Sequence, residues 1–314
     1  MTNNKFAVSA EQEKLGLADR DSMYRFLFDV KPAQGLWINV HKTLKDSLEH
    51  QVNYPVAIKK LLGELLVVGS ILKHYLKTDG NFSLAIQSEG TPVRALSVGL
   101  LGDTARVVAY LDENAEFAQE AKLEDLINPE ANLIMSVYFA DRQMQPYQSI
   151  IRVNLNSIQD SILDYYRQSV QIPAFFRIAS QVDEHGDVNA AGLFMQFIPD
   201  ESGTLEDFNG LATLAHTLTD GELLKLSASD LLYRLFNQEQ VTLAKEKDLS
   251  FQCTCSEEKY FKAIASLGRA ELEDETSPTL EAVCNCCGKK YTYQVKDILD
   301  YIDSKANNDT VTSN

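Results

Sequence analysis

The chain has 314 residues, a hydrophobic fraction of 45%, a formal net charge of −16 and a pI near 4.7. The length suits about two domains, and the apolar fraction suits a sizeable core. The acidity argues against nucleic acid as a partner, because phosphate binding needs clustered Lys and Arg, and an acidic surface repels anionic membranes.

Residues 1–20 are polar and predict a flexible extension. They lack a basic segment followed by an apolar run, so no secretory signal is expected. Asp21 to Val30 opens a region of mixed helix and strand, and Leu44 and Leu48 sit at helical spacing within His41 to Gln51. Val56 to Lys77 predicts one long, mostly apolar helix in which Gly63 and Gly69 allow close packing, ended by Thr78 to Gly80. Its most apolar part, Leu61 to Leu72, carries Glu64 and is too short to span a bilayer. A cytoplasmic protein is therefore expected.

Phe82, Leu84 and Ile86 alternate as in a strand. "ALSVGLLG", "ARVVAYL", "NLIMSVYF" and "YQSIIRVNL" predict further strands, and Ser157 to Pro173 predicts a helix ended by its proline. "AFFRIASQV" and "AAGLFMQFIP" pair around the polar turn Asp183 to Asp187. Residues 21–199 thus predict an N-terminal α+β domain of mixed sheet and helix.

The texture changes over residues 200–250, which predict a helical linker with regulatory potential. Acidic residues outnumber basic ones, and short helix signals follow one another. Thr219 with Glu222 three residues on fits a capping box. Leu211, Leu214, Leu218, Leu223, Leu224, Leu231, Leu232, Leu235 and Phe236 form amphipathic faces that need a surface to cover. Short helices of this kind are marginal alone.

All five cysteines fall in the last part of the chain: Cys253 and Cys255, then Cys284, Cys286 and Cys287. Reducing compartments make such a cluster a metal or redox site rather than a disulfide framework. Four thiolates suit structural Zn²⁺ in a tetrahedron. The first ligand pair is Cys253 and Cys255. The second is Cys284 with either Cys286 or Cys287; the C-x-x-C choice, followed by Gly288, is the commoner zinc turn and leaves Cys286 spare. The module, residues 251–302, is too small to bury much apolar surface without a staple. Structural zinc contributes roughly 10–16 kcal/mol in small peptides. Residues 303–314 form a tail.

Three other readings use the same residues. A C-x-x-C pair can work as a thiol-disulfide oxidoreductase, but that motif normally opens a helix near a βαβ unit. A zinc enzyme needs an open coordination position, which four thiolates close. A zinc-ribbon nucleic-acid binder would rest on Lys289 and Lys290, two cations on an acidic chain. No phosphate loop of the G-x-x-x-x-G-K type occurs.

The chain resembles the redox-regulated 33 kDa chaperonins, a family of heat-shock holdases. The resemblance rests on "YRFLF" (Tyr24 to Phe28), Leu61 to Gly80, Asp164 to Pro173, Ala190 to Pro199 and the C-x-C…C-x-x-C order near the C-terminus. The first 20 residues and Cys286 depart from the family pattern. The resemblance implies an ATP-independent chaperone that is not an enzyme. Its reduced form is a zinc-bound monomer of little activity, with Cys253, Cys255, Cys284 and Cys287 as both metal ligands and redox-active thiols. Oxidation implies two disulfides between near neighbours, Cys253–Cys255 and Cys284–Cys287, with loss of zinc and unfolding of module and linker. Rings this small contribute at most ~2 kcal/mol each by loop entropy, so the oxidised module has lost its staple and gained little. The opened form is expected to bind unfolding client proteins, to form homodimers and to pass clients to ATP-driven foldases.

Overall fold

The computed structural model describes residues 21–76, 80–118, 120–139, 145–199, 203–273 and 277–311; the expected N-terminal extension and residues 77–79, where the long helix was expected to end, lie outside them. Strands β1 (Ser22–Phe28) and β2 (Ala33–Val40) lead into helices α1 (Lys42–Leu48) and α2 (Val56–Leu76). A meander follows: β3 (Asn81–Gln87), β4 (Val93–Leu101), β5 (Thr104–Leu111), the turn of helix α3 (Leu123–Leu126), β6 (Asn132–Tyr138) and β7 (Tyr147–Arg152). Helix α4 (Ile158–Tyr165) then precedes the hairpin of β8 (Ala174–Val182) and β9 (Val188–Phe197). Three short helices come next, α5 (Leu205–Ala215), α6 (Asp220–Lys225) and α7 (Ala228–Phe236), followed by β10 (Val241–Asp248) and β11 (Ser250–Phe251). The chain closes with α8 (Glu257–Ala265), α9 (Arg269–Glu273), the hairpin β12 (Thr279–Val283) and β13 (Lys290–Gln294), and α10 (Val295–Val311). Residues 1–252 and 253–314 form two compact units.

The first unit holds a five-stranded sheet in the order β10-β1-β2-β9-β8 and a six-stranded sheet in the order β11-β5-β4-β3-β6-β7. Helix α2 packs on strands of both sheets. That explains its sequence: a helix covered on several sides cannot be amphipathic in the usual way. Its Leu62, Leu65, Leu66 and Val68 are fully buried with Leu36 and Ile38 of β2 and Leu84 of β3 in one core. Gly63 is needed there, because a Cβ would stand 2.9 Å from the Cβ of Ala190. At Gly69 a Cβ would meet Leu100 at 3.4 Å, an ordinary contact.

The other face of the five-stranded sheet carries a second core. Alternation along β2 turns Leu36 and Ile38 toward α2, and Trp37 away from it. On that far side Tyr24, Phe26, Phe28, Leu193 and Met195 pack against Phe208, Leu211, Leu223, Leu231, Leu232, Leu235 and Phe236. The amphipathic helices α5–α7 thus find the surface their sequence requires, except at Leu214, which was expected to be covered and stays exposed on the outer side of α5. Each begins at a polar cap: Thr204 with Asp207, Thr219 with Glu222, and Ser227 accepting from the Asp230 N–H. Lys31 donates to Asp207 at 2.7 Å and Arg177 to Asp220 at 2.5 Å, tying α5 and α6 to the sheet side.

Four local features differ from expectation. The stretch 200–250, expected to be helical, stops being so at Phe236; residues 241–248 form β10, antiparallel to β1 at the sheet edge. Its pairing partner lies more than 200 positions away, and its charged second half, with Glu246 accepting from Arg25 at 2.7 Å, carries no local strand signal. Strand β2 follows β1 as a partner although the opening region gave no separate sign of it. The helix expected up to Pro173 ends earlier: Tyr166–Val170 wind into a π turn, closed by Gln171 at φ 58° with its N–H on the Tyr166 carbonyl. The tail expected from residue 303 continues α10 as far as Val311.

Candidate metal centre

The cysteine pairs are carried by two local structures. Cys253 and Cys255 lie between β11 and α8, whose start is set by Ser256: its hydroxyl accepts from the Lys259 N–H, and Glu257 and Glu258 fill the acidic first turn. Cys284, Cys286 and Cys287 lie in the turn of the β12–β13 hairpin, where Val283 pairs with Lys290. Gly288 adopts φ 69°, its N–H donates to the Cys284 carbonyl at 2.8 Å, and the Cys284 N–H donates to Lys289 at 2.9 Å. A glycine is needed at that left-handed position. The turn joins two strands, unlike a thioredoxin-type C-x-x-C at the mouth of a helix.

The two structures bring four sulfurs together. Cys253 Sγ lies 3.6 Å from Cys284 Sγ, and Cys255 Sγ lies 3.5 Å from Cys287 Sγ. All four Sγ atoms fall within 4.8 Å of one another. Sulfurs at the usual Zn–S distance of about 2.3 Å from one centre lie about 3.8 Å apart at the corners of a tetrahedron. The donor set therefore fits a tetrahedral, thiophilic divalent metal. Cys286 is buried in the same turn but does not belong to this group of four.

Two tyrosines line the cluster, and no motif pointed to them. Tyr291, on β13, donates from its hydroxyl to Cys255 Sγ at 3.1 Å. Tyr260, on α8, stacks on the Tyr291 ring with centroids 5.3 Å apart at 24°. The thiols do not share charge evenly. Burial opposes ionisation of Cys284, but the Tyr260 hydroxyl and the backbone N–H groups of Cys286 and Cys287 outweigh it and bring the thiol down to about 6. Burial pushes Cys253 and Cys287 up to about 12. Without a cation, four thiolates at this spacing repel one another; a divalent metal removes that penalty.

The unit around the cluster is thinly cored. Besides Cys284 and Cys286, its buried apolar side chains include Leu272, Tyr291, Tyr293 and Ile298, with Phe261 meeting Tyr293 and Tyr301 at its edge. Helix α8 has no buried residue.

The profile of the Hsp33 protein family matches residues 21–294. The chain belongs to the Hsp33 family. It is 34% identical to the 33 kDa chaperonin of Haemophilus ducreyi over 288 residues, covering 90% of this chain and 94% of that one. It is 32% identical to the 33 kDa chaperonin of Actinobacillus pleuropneumoniae serotype 3, again covering 90% and 94%. The crystal structure of the 33 kDa chaperonin (heat shock protein 33 homolog) of Thermotoga maritima shares the fold, with a TM-score of 0.72 at 20% identity over 91% of this chain and 99% of that one. As a member of the Hsp33 family the chain is a chaperone and not an enzyme. Among the described residues, no helix is long and apolar enough to cross a membrane.

Proposed function

We propose that this chain is an ATP-independent, cytoplasmic holdase switched on by oxidation. The observation that carries the reading is the make-up of the C-terminal unit, whose few buried side chains surround four mutually close cysteine sulfurs. Cys253, Cys255, Cys284 and Cys287 hold one Zn²⁺ in the reduced chain. Bound there, the metal neutralises the thiolates and staples a unit too small to hold itself.

Peroxide supplies the switch. A thiolate sulfur attacks one peroxide oxygen and becomes a sulfenic acid, releasing hydroxide. A neighbouring thiol sulfur then displaces that oxygen as water and closes a disulfide. Each disulfide costs the protein two electrons, which end on the two oxygens of one peroxide. Two such events, Cys253 with Cys255 and Cys284 with Cys287, leave no ligand for the metal. The C-terminal unit then unfolds.

The linker responds next. Its helices are short, and they cover an aromatic and aliphatic sheet face. Uncovered, that face offers unfolding client proteins the surface their own buried side chains would seek. The reduced chain is a monomer, the oxidised one a homodimer, and ATP-driven foldases receive the client after reduction.

Light scattering of a thermally aggregating client tests the reading. Reduced protein should leave aggregation unchanged, and peroxide with warming should suppress it in step with zinc release. Equal suppression by the reduced, metal-loaded protein would overturn it. Catalytic turnover of a disulfide substrate would point to an oxidoreductase instead.

A further inference from the structure

The linker-facing side of the five-stranded sheet is not wholly apolar. Asn39 on β2 and Asn189 on β9 both aim a side-chain N–H at one atom, the carbonyl oxygen of Leu224 near the end of α6, at 3.4 and 3.3 Å. Asn39 pairs with Ala191 across the ladder, so Asn189 occupies the neighbouring position on the same face. A carbonyl can only accept, so the amide nitrogen of each side chain must face it and each Oδ1 must turn away. Asn39 is 4% exposed and Trp37, two positions before it on the same face, is 1% exposed. Among the described residues nothing donates to Oδ1 of Asn39 or Asn189, and nothing accepts from Trp37 Nε1, although all three atoms are buried. Buried polar groups are normally paired, and each exception costs stability.

We propose that Asn39 and Asn189 form a clamp for the extended backbone of an unfolded polypeptide, and that the linker occupies it as a poorer guest. An extended chain presents C=O and N–H groups alternately. Its carbonyls can take the two Nδ2 donors that now hold Leu224, and its N–H groups can fill the two Oδ1 acceptors that the linker leaves empty. The spent N–H groups of a helix cannot do this. A spare carbonyl of the guest can also accept from Trp37 Nε1. Recognition through the backbone ignores sequence, which suits a chaperone, while Phe26, Trp37 and Leu193 of the same face take apolar side chains. The clamp rests on the reading that α5–α7 leave this sheet on activation.

The test uses the full chain carrying Leu231→Asp and Leu235→Asp, which frees the linker without oxidation. The probes are a fluorescent nine-residue peptide of alternating Leu and Ser and its twin with N-methyl groups on the central amides. The plain peptide should bind about ten-fold more tightly than the methylated one, the effect of one or two hydrogen bonds. Adding Asn39→Leu and Asn189→Leu should bring both peptides to the weaker value. Equal binding of the two peptides to the parent variant, or a difference that survives the asparagine changes, overturns the clamp while leaving the sheet as the client face. Failure of both peptides to bind overturns the clamp and the client-face reading together. Peroxide-treated, warmed wild-type chain gives the same peptide comparison without any substitution, so misfolding of a variant does not spare the proposal.

Discussion

The ring of Phe236, in the last turn of α7, meets the ring of Phe28 on β1 edge to face, with centroids 5.0 Å apart and planes at 81°. Phe236 is 1% exposed, as deep as a core residue, yet it belongs to a run of three short helices that could not hold their shape alone. Linker and sheet therefore stabilise each other, and what loosens one exposes the other.

Replacing Leu231 or Leu235 with a polar residue should release the linker. Both are buried, and each loses roughly 1.5–3 kcal/mol of burial. The reduced variant should suppress client aggregation while its zinc stays bound. Trp37 is the only tryptophan and lies under the linker, so its emission should shift red in the variant, and in wild-type chain after peroxide and warming. A variant with red-shifted emission that remains inactive until oxidised would move the client surface away from this sheet.

Single cysteine-to-serine changes should separate ligands from bystander. Bound zinc in the reduced protein should fall for Cys253, Cys255, Cys284 and Cys287, and should stay at one per chain for Cys286→Ser. Normal zinc in Cys287→Ser with loss in Cys286→Ser would reverse the assignment of the fourth ligand.

Tyr291→Phe keeps the stack on Tyr260 but removes the hydroxyl that donates to Cys255 Sγ at 3.1 Å. Hydrogen bonds to metal ligands typically influence affinity by about ten-fold or more. Competition with a chelating dye should show zinc held at least several-fold more weakly, with the fold unchanged by circular dichroism. Unaltered affinity would make the tyrosine a packing residue only.

Glu64 sits in the apolar helix α2 and accepts from the Ser180 hydroxyl at 2.6 Å. Burial holds its carboxyl above the ordinary value of 4.5. Below 4.5 both folded and unfolded chains carry it protonated, and it costs nothing. As pH rises past that value the unfolded chain ionises first, so this group's contribution falls until the raised folded value is reached. Glu64→Gln keeps an acceptor for Ser180 and removes the penalty. Its melting temperature should exceed that of wild type at pH 8 by more than at pH 5. A gap that does not change with pH would mean the carboxyl is solvated in the folded chain.

Much of this protein was legible from local pattern. Helix α2 announced itself by a long apolar run, the β8–β9 hairpin by alternation around a polar turn, and α6 by the Thr219–Glu222 capping box, because each depends on residues a few positions apart. The four cysteines were likewise visible as two tight pairs, since each pair rides on its own turn. Tertiary structure alone decided the rest. Strand β10 exists because β1 offers it an edge far away in the chain, and its charged residues then find partners such as Arg25. Tyr260 and Tyr291 reach the sulfurs only when α8 and the hairpin come together. Asn39 and Asn189 share the Leu224 carbonyl only because β2, β9 and α6 converge. Local periodicity carries the energy of short-range contacts, whereas pairing across long loops depends on shape and polar complementarity that no window of sequence contains.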